Sequence, residues 1–437
     1  MRVLMFGWEF PPFNTGGLGT ACYGLTKGLS RQGVEITLVL PRLGGKVGHD
    51  YMKVLLARTA GRIRIRNVDS ILRPYVTSES YLDELSRLEK EELLGKNPPI
   101  KQYISSKGSW GESQAALRKG LYGSDLFNEV YRYSREAKKI ASEEEFDVIH
   151  CHDWLTYPAG IEARKTAADM GRKAPLIAHV HATEFDRTGG NPHPYVYHLE
   201  REGMHQASYV LPVSNYTKNM IVRHYGVDPA RIHVVHNSID VEQQEPDRAE
   251  DPEIRKHYKT VLFLGRMTIQ KGPDHFLWIA KRISEIDPEV RFVMAGSGDM
   301  FKRVVEEAAH LGIGDRVLFT DHLQGEDVDR AYRMADVYVV SSVSEPFGLT
   351  VLEAMKNGTP VVVSKQAGVS EVVKNCLVVD FWDTDEMANK ILAVLNYPAL
   401  RESLSVEGLS EVRGFSWDHP ARKCMDVYEK AVTEAKW

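Results

Sequence analysis

VYVVSSVSEPFGLTVLEAMKNGTPVVVS, residues Val337 to Ser364, is the stretch that decides the fold. An apolar run, Val337 to Ser341, leads through a polar turn into an amphipathic stretch, Phe347 to Asn357, and then past Gly358 and Pro360 into a second run, Pro360 to Ser364. Continuous apolar runs on either side of a helix-length segment specify parallel strands joined by a helical crossover and buried on both faces. The same alternation extends both ways along the chain. Upstream it predicts strands at Val261 to Leu264, Arg291 to Ala295 and Val317 to Thr320, and downstream at Leu377 to Asp380. Helices are expected over Asp274 to Ser284, Phe301 to Leu311, Asp327 to Met334 and Thr384 to Leu395.

The first half repeats the pattern, with strands at Arg2 to Phe6, Glu35 to Leu40, Val148 to Cys151, Leu176 to His181, Tyr209 to Val213 and Ile232 to His236. Two doubly wound parallel sheets therefore follow one another, an α/β architecture. The expected organisation is an N-terminal domain over residues 1–241 carrying a helical insertion at about 43–145, a charged linker at 242–257, a second domain at 258–415, and a closing amphipathic helix over 416–437. Sheets of this kind bind ligands beyond the carboxyl ends of their strands.

Composition bounds the function. The 437 residues carry 55 Lys and Arg against 60 Asp and Glu, a formal charge of −5, so no general basic excess points to nucleic acid or anionic lipid, and anions must be held locally. Cys22, Cys151, Cys376 and Cys424 contain no C-x-x-C pair, which favours a reducing compartment. With no run near the ~20 apolar residues of a membrane span, the expectation is a cytoplasmic protein without stable membrane insertion.

Three stretches carry chemistry. In Ser341 to Gly358, Glu345 lies above the expected helix start and Glu353 eight residues on, roughly 12 Å along the helix at 1.5 Å per residue. The pair can grip two ends of an extended ligand, while the amides of Phe347, Gly348 and Leu349 receive an anion between them. Read singly, Glu345 is a dipole-complementing residue and Glu353 a helix-surface one. In GRMTIQKG, Gly265 to Gly272, Arg266 and Lys271 flank a strand-to-helix loop and can neutralise a diphosphate without a metal. Lys271 is followed by Gly272 and Pro273 rather than Ser or Thr, which removes the best support for a Walker-type kinase or ATPase. The third stretch, NTGGLG from Asn14 to Gly19, precedes a helix expected near Thr20 and offers exposed amides at a strand end.

Two H-x-H pairs, His150 with His152 and His179 with His181, raise a metal reading. Strand alternation places each pair on one face, where a packing role competes. Asp383-Thr384-Asp385 opens a helix and reads as an N-cap.

In this order and spacing, GWEFPP, NTGGLG, DVIHCHDW, HVHATEFDR, VSNYTK, HNSID, GRMTIQKG, AGSGD and SEPFGLTVLEAMKNGTPVV make the chain resemble the retaining GT-B nucleotide-sugar glycosyltransferases. Within them it is similar to the glycogen/starch synthase group and related glucosyl- and mannosyltransferases. The resemblance implies two Rossmann-like domains facing across a cleft, with the last helix crossing back onto the first domain. It implies that Arg266 and Lys271 hold the donor diphosphate, that Glu345 faces the transferred sugar, and that Glu353 takes the ribose hydroxyls. Phe347, Gly348, Leu349, Thr350 and Gly296 complete the donor site, Gly16 and Gly17 close on the pyrophosphate, and His181 and Asp153 lie by the sugar and acceptor. Asn14, where bacterial glycogen synthases usually carry Lys, and Glu353, a glutamate they usually lack, draw the chain toward the broader transferase family.

The expected activity is metal-independent transfer of glucose from ADP- or UDP-glucose to the 4-hydroxyl of an α-glucan, with no cofactor beyond the donor. Alternatives are a small acceptor (a disaccharide, sugar phosphate or glycolipid), a nucleotide-sugar epimerase, and a non-catalytic sugar-binding homologue. Tyr103, Trp110, Tyr122, Phe127, Tyr131 and Tyr133 of the insertion are candidates for stacking glucan rings, against the alternative of helix packing.

Overall fold

The computed structural model describes residues 1–11, 16–42, 63–69, 124–241, 258–320 and 322–436. Most of the insertion, the linker at 242–257, Asn14, and the segment Leu82 to Leu94 lie outside them. Twelve strands are described: β1 Arg2–Phe6, β2 Glu35–Arg42, β3 Ile63–Asp69, β4 Val148–His152, β5 Leu176–Val180, β6 Tyr209–Pro212, β7 Thr260–Leu264, β8 Arg291–Ala295, β9 Val317–Thr320, β10 Val337–Val340, β11 Val361–Ser364 and β12 Leu377–Val379. The helices are α1 Gly17–Arg31, α2 Ser124–Glu143, α3 Tyr157–Asp169, α4 Glu184–Thr188, α5 Pro194–Gln206, α6 Asn215–Met220, α7 Pro273–Ile286, α8 Phe301–His310, α9 Glu326–Met334, α10 Leu349–Lys356, α11 Thr384–Asn396, α12 Pro398–Val412 and α13 Asp418–Lys436.

The strands form two parallel six-stranded sheets, ordered β3-β2-β1-β4-β5-β6 and β12-β11-β10-β7-β8-β9. Numbered within its own sheet, each has the order 3-2-1-4-5-6, so the strand order reverses between the first strand and the fourth. In the first sheet Met5 of β1 lies between Leu38 and His150, and in the second Leu262 of β7 lies beside Tyr338 of β10. Loops leaving the carboxyl ends of strands one and four separate at this reversal and leave a crevice. The fold thus selects four loops, those after β1, β4, β7 and β10.

Packing follows the sequence pattern. In the second sheet α7 buries Phe276, Leu277, Ile279, Ala280 and Ile283 against Val261, Phe263 and Phe292, with the Phe263 and Phe276 rings 5.5 Å apart. Fully burying each of the larger side chains contributes about 1.5–3 kcal/mol. In the first, Val3 to Phe6 are all buried, and Phe6 and Trp8 meet the ring of Tyr133, whose hydroxyl lies 2.8 Å from the Val39 carbonyl and 3.0 Å from that of Gly7. Tyr133 is therefore a core residue and not a sugar platform. Phe127 is buried too, while Tyr131 is exposed.

Four expectations are corrected. Ile232 to His236 is not a ladder strand, because only Ile232 bridges to Val210; the sixth strand of that sheet is instead β3, inside the segment read as a helical insertion. Helix α1 begins at Gly17, before Thr20. Helix α10 begins at Leu349 rather than Phe347, and α12 was not foreseen.

The described chain divides into two compact units: Met1–Ala178 with Gln206–Ser208 and Tyr428–Trp437, and His179–His205 with Tyr209–Val427. The final helix, α13, therefore ends within the first unit, where the Tyr428 hydroxyl meets Nδ1 of His150. Among the described residues no helix is long and apolar enough to cross a membrane.

Candidate active site

The loops after β7 and β10 are stitched together before any side chain is considered. Gln270 offers its carbonyl to the amides of Val343 and Ser344, at 3.0 and 3.3 Å. Ser341 donates its hydroxyl to the Gly272 carbonyl at 2.8 Å. Gly272 sits at φ +59°, and a Cβ there would lie 2.4 Å from the Ser341 carbonyl oxygen, so any other residue would push the loops apart.

This stitching places Lys271 against Glu345, and the two form an ion pair. Both are shielded without being sealed, their side chains 20% and 9% exposed. Ser342 also donates to the Glu345 carboxylate at 3.3 Å, and the Glu345 backbone is held on both sides, its amide by Gln366 and its carbonyl by Gly368. Arg266, at the start of the same loop, is exposed. Gly296 meets the loop from behind: a Cβ there would fall 2.0 Å from the Gly265 carbonyl oxygen, which makes this glycine a packing requirement of the loop.

Gly348 caps α10 with φ +107°. The amide of Val351 is taken by the Gly348 carbonyl at 3.0 Å, so Leu349 and Thr350 present the leading amides of the helix. Phe347 and Leu349 are buried. Glu353 is half-buried rather than a solvated residue of this helix. It accepts the hydroxyl of buried Tyr332 at 3.3 Å, and burial pushes its carboxyl up despite that bond.

In the first unit, Gly16 is the N-cap of α1, and a Cβ there would sit 2.9 Å from Oε2 of buried Glu9; beside Gly17 there is open space. Asp153, directly after β4, has φ +59°, alone among the described non-glycine residues in that region. A left-handed conformation in a buried non-glycine residue costs about 1–3 kcal/mol and persists where a site requires it. The histidines stack within each pair, His150 on His152 at 4.5 Å and His179 on His181 at 4.4 Å, as alternation along a strand demands. Burial pulls His152 down to about 3, so its imidazole is neutral at physiological pH.

Of the residues expected in the site, Lys271, Arg266, Glu345, Phe347, Gly348, Leu349, Thr350, Glu353, Gly296 and His181 fall in the second unit, and Gly16, Gly17 and Asp153 in the first. Sequence reading missed a polar group around them. Ser214 donates to the Pro346 carbonyl at 2.6 Å, and Glu371 takes the amides of Asn215 and Tyr216 and Nε2 of His236. Burial would raise Glu371, but these donors, His236 foremost, hold it below its ordinary value. Asp186 accepts the Ser344 hydroxyl. Apart from Glu371, these residues lie in the motifs HVHATEFDR, VSNYTK, HNSID and SEPFGL, and Thr183 and Asp186 also have capping-box spacing, but the sequence did not show how they pair.

Residues 244–409 match the Glycosyl transferases group 1 and residues 111–243 the Glycosyltransferase Family 4. An uncharacterized glycosyltransferase of Methanocaldococcus jannaschii is 27% identical over 449 residues, 99% of each chain. A D-inositol 3-phosphate glycosyltransferase of Xylanimonas cellulosilytica is 30% identical over 335 residues, covering 72% of this chain and 79% of its own. Among solved structures, sucrose-phosphate synthase from Thermosynechococcus elongatus has the same fold, with a TM-score of 0.71 at 17% identity over 99% of both chains. With two matched parallel sheets and a cationic loop facing a helix N-terminus, the chain belongs to the group 1 glycosyltransferases and is a nucleotide-sugar transferase of GT-B fold.

Proposed function

We propose that this enzyme transfers a hexosyl group, with glucose from UDP- or ADP-glucose as the first expectation, with retention at the anomeric carbon and without a metal ion. The observation that carries the reading is the Lys271–Glu345 pair beside the leading amides of α10. A diphosphate leaving group needs positive charge where its own charge develops. Lys271, Arg266 and those amides supply it, with Lys271 already oriented by Glu345.

In the transfer, the bond from the anomeric carbon to the β-phosphate oxygen breaks, and the acceptor oxygen bonds that carbon from the same face. The acceptor proton goes to the departing phosphate oxygen. A covalent intermediate would need a free carboxylate as nucleophile. Glu345 is instead engaged by Lys271 and Ser342, which favours the direct route.

The motifs resembling glycogen synthases support an α-glucan end as acceptor. The name of the Xylanimonas relative supports a second reading, a small phosphorylated polyol. A panel of ADP-, UDP- and GDP-sugars, each with glycogen, with inositol 3-phosphate and with neither, decides between them by nucleoside diphosphate release. Release that needs glycogen selects the glucan, and release that needs the polyol phosphate selects the small acceptor. A changed sugar nucleotide formed with no acceptor would overturn both in favour of an epimerase.

A further inference from the structure

We propose that Asp186 is a positioning residue of the transfer reaction, acting through Ser344 on the Lys271–Glu345 pair; the inference rests on the reading of that pair as the donor-phosphate site. Asp186 is wholly buried in α4, and each of its carboxylate oxygens has a separate task. Oδ2 receives both the amide and the hydroxyl of Thr183, each at 2.7 Å, closing the cap of the helix. Oδ1 receives the hydroxyl of Ser344.

A serine hydroxyl has one hydrogen. Since Ser344 spends it on Asp186, the Tyr216 hydroxyl, 2.9 Å from Ser344 Oγ, must be the donor in that contact. Burial pushes the Tyr216 phenol up, and Asp186 and Glu345 add to the effect, so it keeps the proton this direction requires. The chain of bonds runs from Tyr216 through Ser344 to Asp186 with every hydrogen assigned.

Ser344 is the residue before Glu345, and its amide is bonded to Gln270, the residue before Lys271. One buried carboxylate thus holds the segment that carries Glu345, and through the Ser344 amide it is tied to the loop that carries Lys271. The same Asp186 ties down Thr183, two residues beyond His181, so it joins the segment expected to meet the sugar to the segment expected to meet the phosphate. Burying a carboxylate for packing alone is unfavourable. Fixing a catalytic pair is a sufficient reason to keep one, because a displacement of about 1 Å at reacting groups can cost roughly a hundredfold in rate.

The test uses the full chain and the donor found active in the panel. Ser344→Ala removes the link, and Asp186→Asn puts an amide donor where the Ser344 hydrogen must go. Each should lower kcat by about tenfold, and the double variant should be no more than about threefold worse than either alone, since the two act as one unit. Calorimetric titration with the matching nucleoside diphosphate should give an unchanged stoichiometry and a Kd within about threefold of wild type, because the cationic loop and helix amides remain. Ser344→Thr, which keeps the hydroxyl, should recover most of the rate. The proposal is overturned if both single variants keep kcat near wild type, or if lost activity only tracks a lower binding stoichiometry, the sign of a merely structural role. The donor-site reading is checked separately by Lys271→Ala, whose undiminished nucleoside diphosphate binding would reject that reading and not the Asp186–Ser344 linkage.

Discussion

The Lys271 ammonium and the Glu345 carboxylate form an ion pair across the loops that leave the adjacent strands β7 and β10. These strands are the first and fourth of their sheet, where the strand order reverses, so the topology itself brings together residues 74 positions apart. The pair holds a cation at the foot of α10.

Lys271→Ala and Glu345→Ala should each leave a folded protein and lower turnover by about a hundredfold or more, the scale of losing a preorganised charge at a developing anion. Steady-state rates beside circular dichroism check this. The two losses should also be strongly non-additive, because each variant already disrupts the pair.

Gly272→Ala should be costly although it adds one methyl group. The new Cβ would lie 2.4 Å from the Ser341 carbonyl oxygen at φ +59°, and the loops can only separate. A loss on the order of 2 kcal/mol in denaturant unfolding, together with reduced nucleoside diphosphate affinity, is expected. Gly312→Ala, also at positive φ but with open space around its Cβ, should leave that affinity unchanged.

Asp153 carries strain that glycine would relieve. Asp153→Gly should match or exceed wild-type stability by up to about 1 kcal/mol while lowering the transfer rate at least about tenfold. Thermal unfolding and initial rates on one preparation would show the two moving in opposite directions. Loss of both together would mean that Asp153 is structural.

Glu200 predicts a pH dependence of stability. Buried between Arg187 at 2.8 Å and the Tyr225 hydroxyl, with Glu184 nearby, it is pushed up by burial to about 7 even though Arg187 opposes the shift. A folded-state value above the unfolded one means that the native state holds the proton more tightly. The stabilising contribution is therefore complete below the unfolded value of about 4.5 and is lost as pH rises through about 7. Urea unfolding at pH 5 and pH 8 should show wild type losing on the order of 3 kcal/mol more than Glu200→Gln over this interval.

The parts of this architecture that were legible in the sequence are those written in local pattern. Apolar runs such as Val361 to Ser364 have to be buried on both faces, and Asp383 does cap α11, accepting the Glu386 amide at 3.0 Å. Helix α12 escaped notice because it buries only Gly408, Leu409 and Val412, too sparse a face to register as a helical period. The start of α10 was misplaced by two residues because a positive φ at Gly348, and not a polar cap, begins it. Lys271 and Glu345 stood out because each lies in a distinctive loop. The roles of Asp186, Ser344 and Glu371 were not legible, since their partners are 128 to 158 positions away and only the fold pairs them.

The measurement that bears most directly on the central claim is a proton NMR time course of the wild-type reaction, with the active α-linked nucleotide sugar and its acceptor, run in excess EDTA. Undiminished nucleoside diphosphate release with an α-configured product is the expected result. A β-configured product would refute same-face transfer, and activity lost in EDTA and restored by a divalent cation would show that Arg266, Lys271 and the α10 amides are insufficient to stabilise the leaving group.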